Sequence, residues 1–325
     1  PRLIKIANNF IPTADEVWRL QRVQDEDAFV FQEMANNGHY QRAGGTRQGI
    51  YVCTPSGILL SSINSLNPDD VLDNLKLGLE NWNNLPQKDR QLPEGFNPSP
   101  RHRWENSYPS DGMVLKSVKV DLLSDPPLQS ERGDRWNIDH VWFNNNETHL
   151  WLPENPQKGD LYTLPTILTD RLFCFHLVDN VRGQTLPFAP QEIKEANIDI
   201  EIKNRKGNII ELAIEGASKA NAKGPWLLGD NDWTPNHELN HSINTNLMGS
   251  ATYDLVLEKF TEFEMVAIGN RIGKTQNNGR KNSPEEGYVG FLFTLAGTKH
   301  SDKIAPAFVD LYNAEWIIRP TNTPN

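Results

Sequence analysis

The sequence predicts an α+β protein in two parts, a small α/β domain over residues 1–85 and a mainly antiparallel β-sandwich or barrel over residues 113–325. Three observations carry that expectation. Apolar residues recur at helical spacing in the first part. From Met113 onward they alternate with period two over long stretches. Between the two, residues 86–112 are polar and broken by Pro86, Pro93, Pro98, Pro100 and Pro109, the composition of a linker or an irregular wrapping segment.

In the first part, Leu3-Ile4-Lys5-Ile6 alternates as a short strand would. Thr13 can cap a helix whose first turn carries Asp15 and Glu16, with Val17, Leu20 and Val23 as its apolar face. Phe29, Phe31 and Met34 mark a second helical stretch. Residues 49–53 and 58–63 are strands joined by the turn Thr54-Pro55-Ser56-Gly57. Asn67 and Pro68 supply the N-cap and first position of a helix that turns Val71, Leu72, Leu75, Leu79 and Trp82 inward. In the second part, residues 114–122 form a strand. Ile198, Ile200 and Ile202 turn at residues 204–208 and return through Ile210, Leu212 and Ile214 as a hairpin. Residues 239–257 alternate at length, Phe263, Met265 and Ala267 continue the pattern, and residues 288–295 make a final strand. Residues 146–152 and 164–172 read as helical interruptions.

The order strand, helix, hairpin, helix in residues 1–85 resembles the thioredoxin-fold family. The stretch Gly49-Ile50-Tyr51-Val52-Cys53-Thr54-Pro55-Ser56-Gly57 is similar to that family's hairpin, whose turn is often Pro-x-Gly. The family's Cys-x-x-Cys belongs in the loop entering the first helix. Here that loop is Phe10-Ile11-Pro12-Thr13-Ala14, without cysteine. The family's cis-proline would stand near Gln48 and Gly49. Thiol–disulfide exchange needs an attacking thiolate, so the resemblance implies the fold without the redox activity.

Composition removes other classes. A net charge of −10 argues against a nucleic-acid partner, which calls for a basic footprint. No apolar run approaches the ~18–20 residues that cross a bilayer as a helix, so no membrane span is expected. Two cysteines, Cys53 and Cys174, are too few for a disulfide framework; they could form one bridge or none, and the expectation is two buried thiols. Residues 1–9 contain no charged region followed by an apolar signal core, and a start at Pro1 without Met reads as processed or trimmed.

The sharpest motif is His237-Glu238-Leu239-Asn240-His241. On a helix, His-Glu-x-x-His puts both imidazoles on one face for zinc and leaves the glutamate as general base. The surrounding alternation is that of a strand, which would set the two histidines about 13 Å apart, too far for one ion. A second constellation joins Asp134 to Phe143, with His140 and Trp142, to the run from Phe175 to Gln184, with His176, Asp179 and Arg182. It reads first as a buried polar network in which Arg182 forks onto a carboxylate, because no nucleophile–base spacing is legible. Its functional reading is a ligand pocket of aromatic plates oriented by Asp179 or Arg182. Trp226 and Trp233 flank Gly229-Asp230-Asn231-Asp232, and Trp233 joins the candidate contact residues. Glu258, Glu262 and Glu264 suit a solvated sheet face better than a calcium site.

The expectation is a non-catalytic binding or scaffolding protein, extracytoplasmic (periplasmic or secreted), acting on a protein or small-molecule partner. It has no expected cofactor, metal or catalytic residue. The alternatives are a divergent thiol–disulfide oxidoreductase using Cys53, or a zinc hydrolase using His237, Glu238 and His241. Phe96, Trp104 and Tyr108 give residues 86–112 area to bury, so that segment is expected to pack along a domain interface beside a ligand groove.

Overall fold

The computed structural model describes residues 2–13, 17–21, 24–40, 47–92, 94–95, 111–122, 136–183, 185, 187–224, 239–275, 278–280, 283–297 and 302. The chain divides into two compact units, Pro1–Pro100 and Arg101–Asn325.

The first unit contains α1 (Arg2–Ala7), α2 (Val17–Leu20), α3 (Glu26–Asn36), the hairpin β1 (Ile50–Cys53) and β2 (Leu59–Ile63), and α4 (Pro68–Asn84). The expected strand at Leu3–Ile6 is therefore a helix. Leu3 and Ile6 are half-buried while Ile4 is exposed, the i, i+3 face of a helix packed on α4. Four residues cannot separate that spacing from strand alternation. The hairpin and α4 form where the sequence placed them. Asn67 caps α4 by accepting from the Asp69 N–H at 3.0 Å, and Pro68 follows at its first turn. Cys53 ends β1 in an exposed position, because a register shift at Val52/Cys53 breaks the ladder before the turn. The expected buried thiol is thus corrected.

α4 lies close on the hairpin. Ser61 Oγ donates to the Asn74 carbonyl at 2.8 Å, and Asn81 Nδ2 donates to the Leu60 carbonyl at 2.7 Å. Gly78 is the point of closest approach: a β-carbon there would lie 2.7 Å from Val52 Cγ1. Beyond α4, residues Gln87–Arg90 form a short 3-10 turn, and Arg90 donates to the Leu85 and Asn83 carbonyls. Phe96, Trp104 and Tyr108, and with them the expected packing of the proline-rich segment, lie outside the described residues.

The second unit is built on one antiparallel sheet. Its strands are β3 (Met113–Asp121), β4 (Trp136–Phe143), β5 (Leu161–Thr163), β6 (Ile193–Lys206), β7 (Ile209–Gly224), β8 (Leu239–Asp254), β9 (Lys259–Gly273) and β10 (Glu286–Leu295), in the order β4-β3-β10-β9-β8-β7-β6-β5. The expected sandwich or barrel is corrected: among the described residues the strands form one eight-stranded sheet, whose end strands β4 and β5 are not hydrogen-bonded to each other. The period-two pattern specifies a one-sided sheet equally well. Helices, in place of a second sheet, cover the buried face. These are α5 (Asn145–His149), α6 (Thr166–Arg171) and the wider π-turn Leu172–His176 that continues α6.

The core lies between that face and the helical layer. β6 contributes Ile198, Ile200 and Ile202, β9 contributes Phe263 and Met265, and β10 contributes Val289, Phe291 and Phe293. Trp151 is fully buried, edge-on to Phe143, Phe260 and Phe263. Glu147 caps α5 in a capping box with Asn144 and also takes a fork from Arg171, at 2.5 and 2.6 Å, tying α5 to α6. On the other face Val120, Met248, Val266 and Ile268 are exposed.

Alanine at position 78 tests the approach of α4 to the hairpin. In an open helix, Gly→Ala stabilises by about 1 kcal/mol. Against Val52 and Ser61, Gly78→Ala is expected to destabilise the first unit by ~1–3 kcal/mol through overpacking. A lowered urea midpoint is the expected readout, and a raised one would show that the helix can back away freely.

Candidate functional site

Along β3 the inward positions are Met113, Leu115, Ser117, Lys119 and Asp121, so the buried face turns from apolar to charged at one end of the strand. The same end receives Asp139 from β4, Arg271 from β9 and His241 from β8. The π-turn adds His176 at its end, the segment after it adds Asp179 and Arg182, and the β9–β10 connection adds Arg280 and Ser283.

Two linked networks result. In the first, Lys119 Nζ donates to Asp139 Oδ2 at 2.6 Å while His176 Nδ1 meets Asp139 Oδ1 at 2.8 Å. Lys119 and Asp139 are 0% and 1% exposed. In the second, Arg280 forks onto Asp121 (2.7 and 3.0 Å) and onto Asp179 (2.5 and 2.9 Å). Arg182 Nε shares Asp121 at 2.5 Å, and its Nη1 donates to Ser283 Oγ. Arg271 Nε lies 3.8 Å from Asp179. Gly287, opposite Arg271 in register, leaves room for that guanidinium: a β-carbon there would lie 2.6 Å from its Nη2.

Burial and pairing compete at each group. Burial would raise the Asp139 carboxyl, but Lys119 and His176 hold it down at about 2. Burial lowers Lys119 despite Asp139 beside it, and lowers His176. Asp121 is likewise kept low against burial by Arg280 and Arg182. His241 has no ion-pair partner: its ring stacks on Phe188 at 5.0 Å, both ring nitrogens are buried without a hydrogen bond, and burial lowers it to about 4. Side-chain atoms of Asn180, Thr185 and Asn278 are also buried without a partner. Such groups cost free energy unless something from outside the protein meets them.

The connections are unequal at the two ends of the sheet. At the charged end, the strands are joined over residues 122–135, 225–238 and 274–285. At the opposite end, β6–β7 and β8–β9 turn over residues 207–208 and 255–258. Long connections at one end of a rigid sheet are where binding groups are usually carried.

Of the sequence candidates, His176, Asp179 and Arg182 come together here. His140 and Trp142 do not: they alternate with Asp139 and so face the other side of β4, where burial lowers His140 and Asp302 lies near enough to oppose it. Trp233, like Trp226, lies outside the described residues, as do His237 and Glu238 of the His-Glu-x-x-His motif. Leu239 to His241 of that motif are in β8. Arg182 meets the Asp121 carboxylate, and Arg280 forks onto Asp121 and Asp179 beside it. Lys119, Asp121, Arg271 and Arg280 escaped the sequence reading, although three had a signal: Lys119, Asp121 and Arg271 stand at inward positions of alternating strands, where a charge needs an explanation.

Among the described residues no hydrogen bond joins His176 to a hydroxyl or thiol, so no nucleophile–base pair forms. Burial raises the Cys174 thiol, and partial desolvation raises that of Cys53 although its side chain reaches the surface, the opposite of an activated nucleophile. No group of three or more His, Cys, Asp or Glu among the described residues is placed to hold a metal ion.

His241 makes the fold acid-sensitive. Its folded pKa lies below the unfolded value, so its contribution is complete above about pH 6.5 and is lost as pH falls towards about 4. The loss amounts to about 3 kcal/mol across that window. His241→Phe, which retains the stack on Phe188, is expected to remove that part of the pH dependence of the urea midpoint between pH 7 and 4. An unchanged slope would place the acid sensitivity elsewhere.

Compared with known proteins, the chain matches no family model, no characterised protein and no solved structure.

Proposed function

We propose that this chain is a non-catalytic binding protein that takes its ligand at the charged end of the eight-stranded sheet, with a redox-inactive thioredoxin-like domain preceding it. One observation carries the reading: buried, unpartnered polar atoms of Asn180, Thr185 and Asn278 accompany a charge network at the end of the sheet that the long connections leave. A purely structural network would leave fewer of its groups unmet. The raised Cys53 thiol weighs against thiol exchange, and the strand at Leu239–His241 weighs against a helical zinc motif.

The hairpin and α4 support the thioredoxin-like part. The helix at Arg2–Ala7, where that family has a strand, marks it as a departure.

Asn180 separates binding from structural support. Its amide is 1% exposed with both atoms unpartnered. If the amide serves a ligand, Asn180→Leu is expected to leave the unliganded protein equally stable or to raise it by ~1–2 kcal/mol, because a costly buried polar group is removed. The same substitution should abolish any thermal shift that a panel of small amides, sugars and carboxylates gives the unsubstituted protein. Hydrogen exchange would place that shift on residues 178–183 and 278–280. Clear destabilisation by Asn180→Leu, or protection mapping elsewhere, would defeat the proposal.

A further inference from the structure

Lys119 and Asp139 are diagonal neighbours on adjacent antiparallel strands: Lys119 faces Asn137 in register, and Ser117 faces Asp139. Both side chains point to the buried face, and across β10 that face presents Phe291 opposite Lys119 and Phe293 opposite Ser117. The amine and the carboxylate are held 2.6 Å apart in a place closed to water. The second carboxylate oxygen is held by an imidazole nitrogen at 2.8 Å. Burying an ion pair is costly in itself, and converting it to a neutral species relieves that cost. Fixing two reacting groups in contact supplies a large part of the barrier to joining them.

We propose that Lys119 and Asp139 condense without any other enzyme into an intramolecular isopeptide bond that ties the edge strand β4 covalently to β3. One proton moves along the short hydrogen bond from Nζ to Oδ2, giving a neutral amine and a neutral acid. The Nζ lone pair then attacks Cγ. Charge develops on Oδ1, where the His176 N–H donates to it, as a preformed oxyanion donor would. A second proton passes from Nζ to Oδ2, the Cγ–Oδ2 bond breaks, and water leaves. The ammonium and carboxylate have become one amide and one water, with no oxidant or co-reactant. Burial favours the neutral amine that the attack requires, while Lys119 and His176 favour the ionised acid, so the neutral pair is a minor species that the loss of water draws off. This inference is independent of the binding reading, since the bond would form with or without a ligand.

Intact-mass spectrometry of the purified, denatured full chain decides the matter. The expected mass is one water below that of the sequence, with a branched tryptic species joining the Lys119 and Asp139 peptides. Lys119→Arg and Asp139→Ala chains should show their full sequence masses. Asp139→Asn keeps the shape and changes the leaving group, so that chain should lose ammonia instead. His176→Phe should slow appearance of the lighter species in a time course from refolding by at least tenfold. The wild-type mass needs no variant to fold. A full sequence mass after prolonged incubation of the folded protein overturns the proposal, and so does a water loss mapped to other residues or retained in Lys119→Arg.

Discussion

The charged end of the sheet depends on Arg280. Its guanidinium bridges Asp121 at the end of β3 and Asp179 in the segment after the π-turn, so one side chain joins three parts of the chain far apart in sequence. The interaction is forced by burial: Arg280 is 1% exposed, and a guanidinium cannot shed its charge to escape the interior. It must be paired, and the two carboxylates must in turn be paired by it, by Arg182 and by Arg271. Breaking such a set costs more than its formation contributes, commonly about 3–5 kcal/mol when one partner is removed. The network therefore specifies geometry more than it adds stability. It fixes where the π-turn, the β9–β10 connection and the end of β3 meet.

The apolar core supplies the opposite kind of constraint. Ile198, Ile200, Ile202, Phe263, Met265 and Phe293 fill one face of the sheet by ordinary burial, and the helical layer closes over them. At the boundary of that layer the Arg171–Glu147 fork repeats, on a smaller scale, the solution used by Arg280. A capping glutamate already required by α5 is reused to neutralise a cation from α6.

The long strands were legible because period-two alternation survives over many residues. Ile198 to Ile214 and Ile243 to Leu247 place their burial correctly from the pattern alone. Leu3 to Ile6 failed because four residues carry no period. β4 was legible only as a cluster of chemistry, since Trp136 to Phe143 mixes polar and apolar residues on both faces. The sheet count failed for a different reason: alternation says that one face is buried but not whether helices or another sheet bury it. At the site, His176, Asp179 and Arg182 lie within seven residues and were found together. Arg280 and Asp121 are separated by 159 residues, and only the topology brings them into contact.

The position of β10 carries a consequence for how the protein is made. This strand is the last of the eight in sequence, yet it lies between β3 and β9. Until residues 286–295 have emerged from the ribosome, β3 with β4 and the β5–β9 meander are two incomplete sheets. Each has a bare hydrogen-bonding edge. Pairing β10 with β3 closes a very long loop of chain, which is the kind of contact that slows folding. The interval before it forms is when neighbouring copies can borrow those edges. Val289, Phe291 and Phe293 then seal both halves in one step. The sheet is therefore completed late in synthesis, well after most of its residues have been joined.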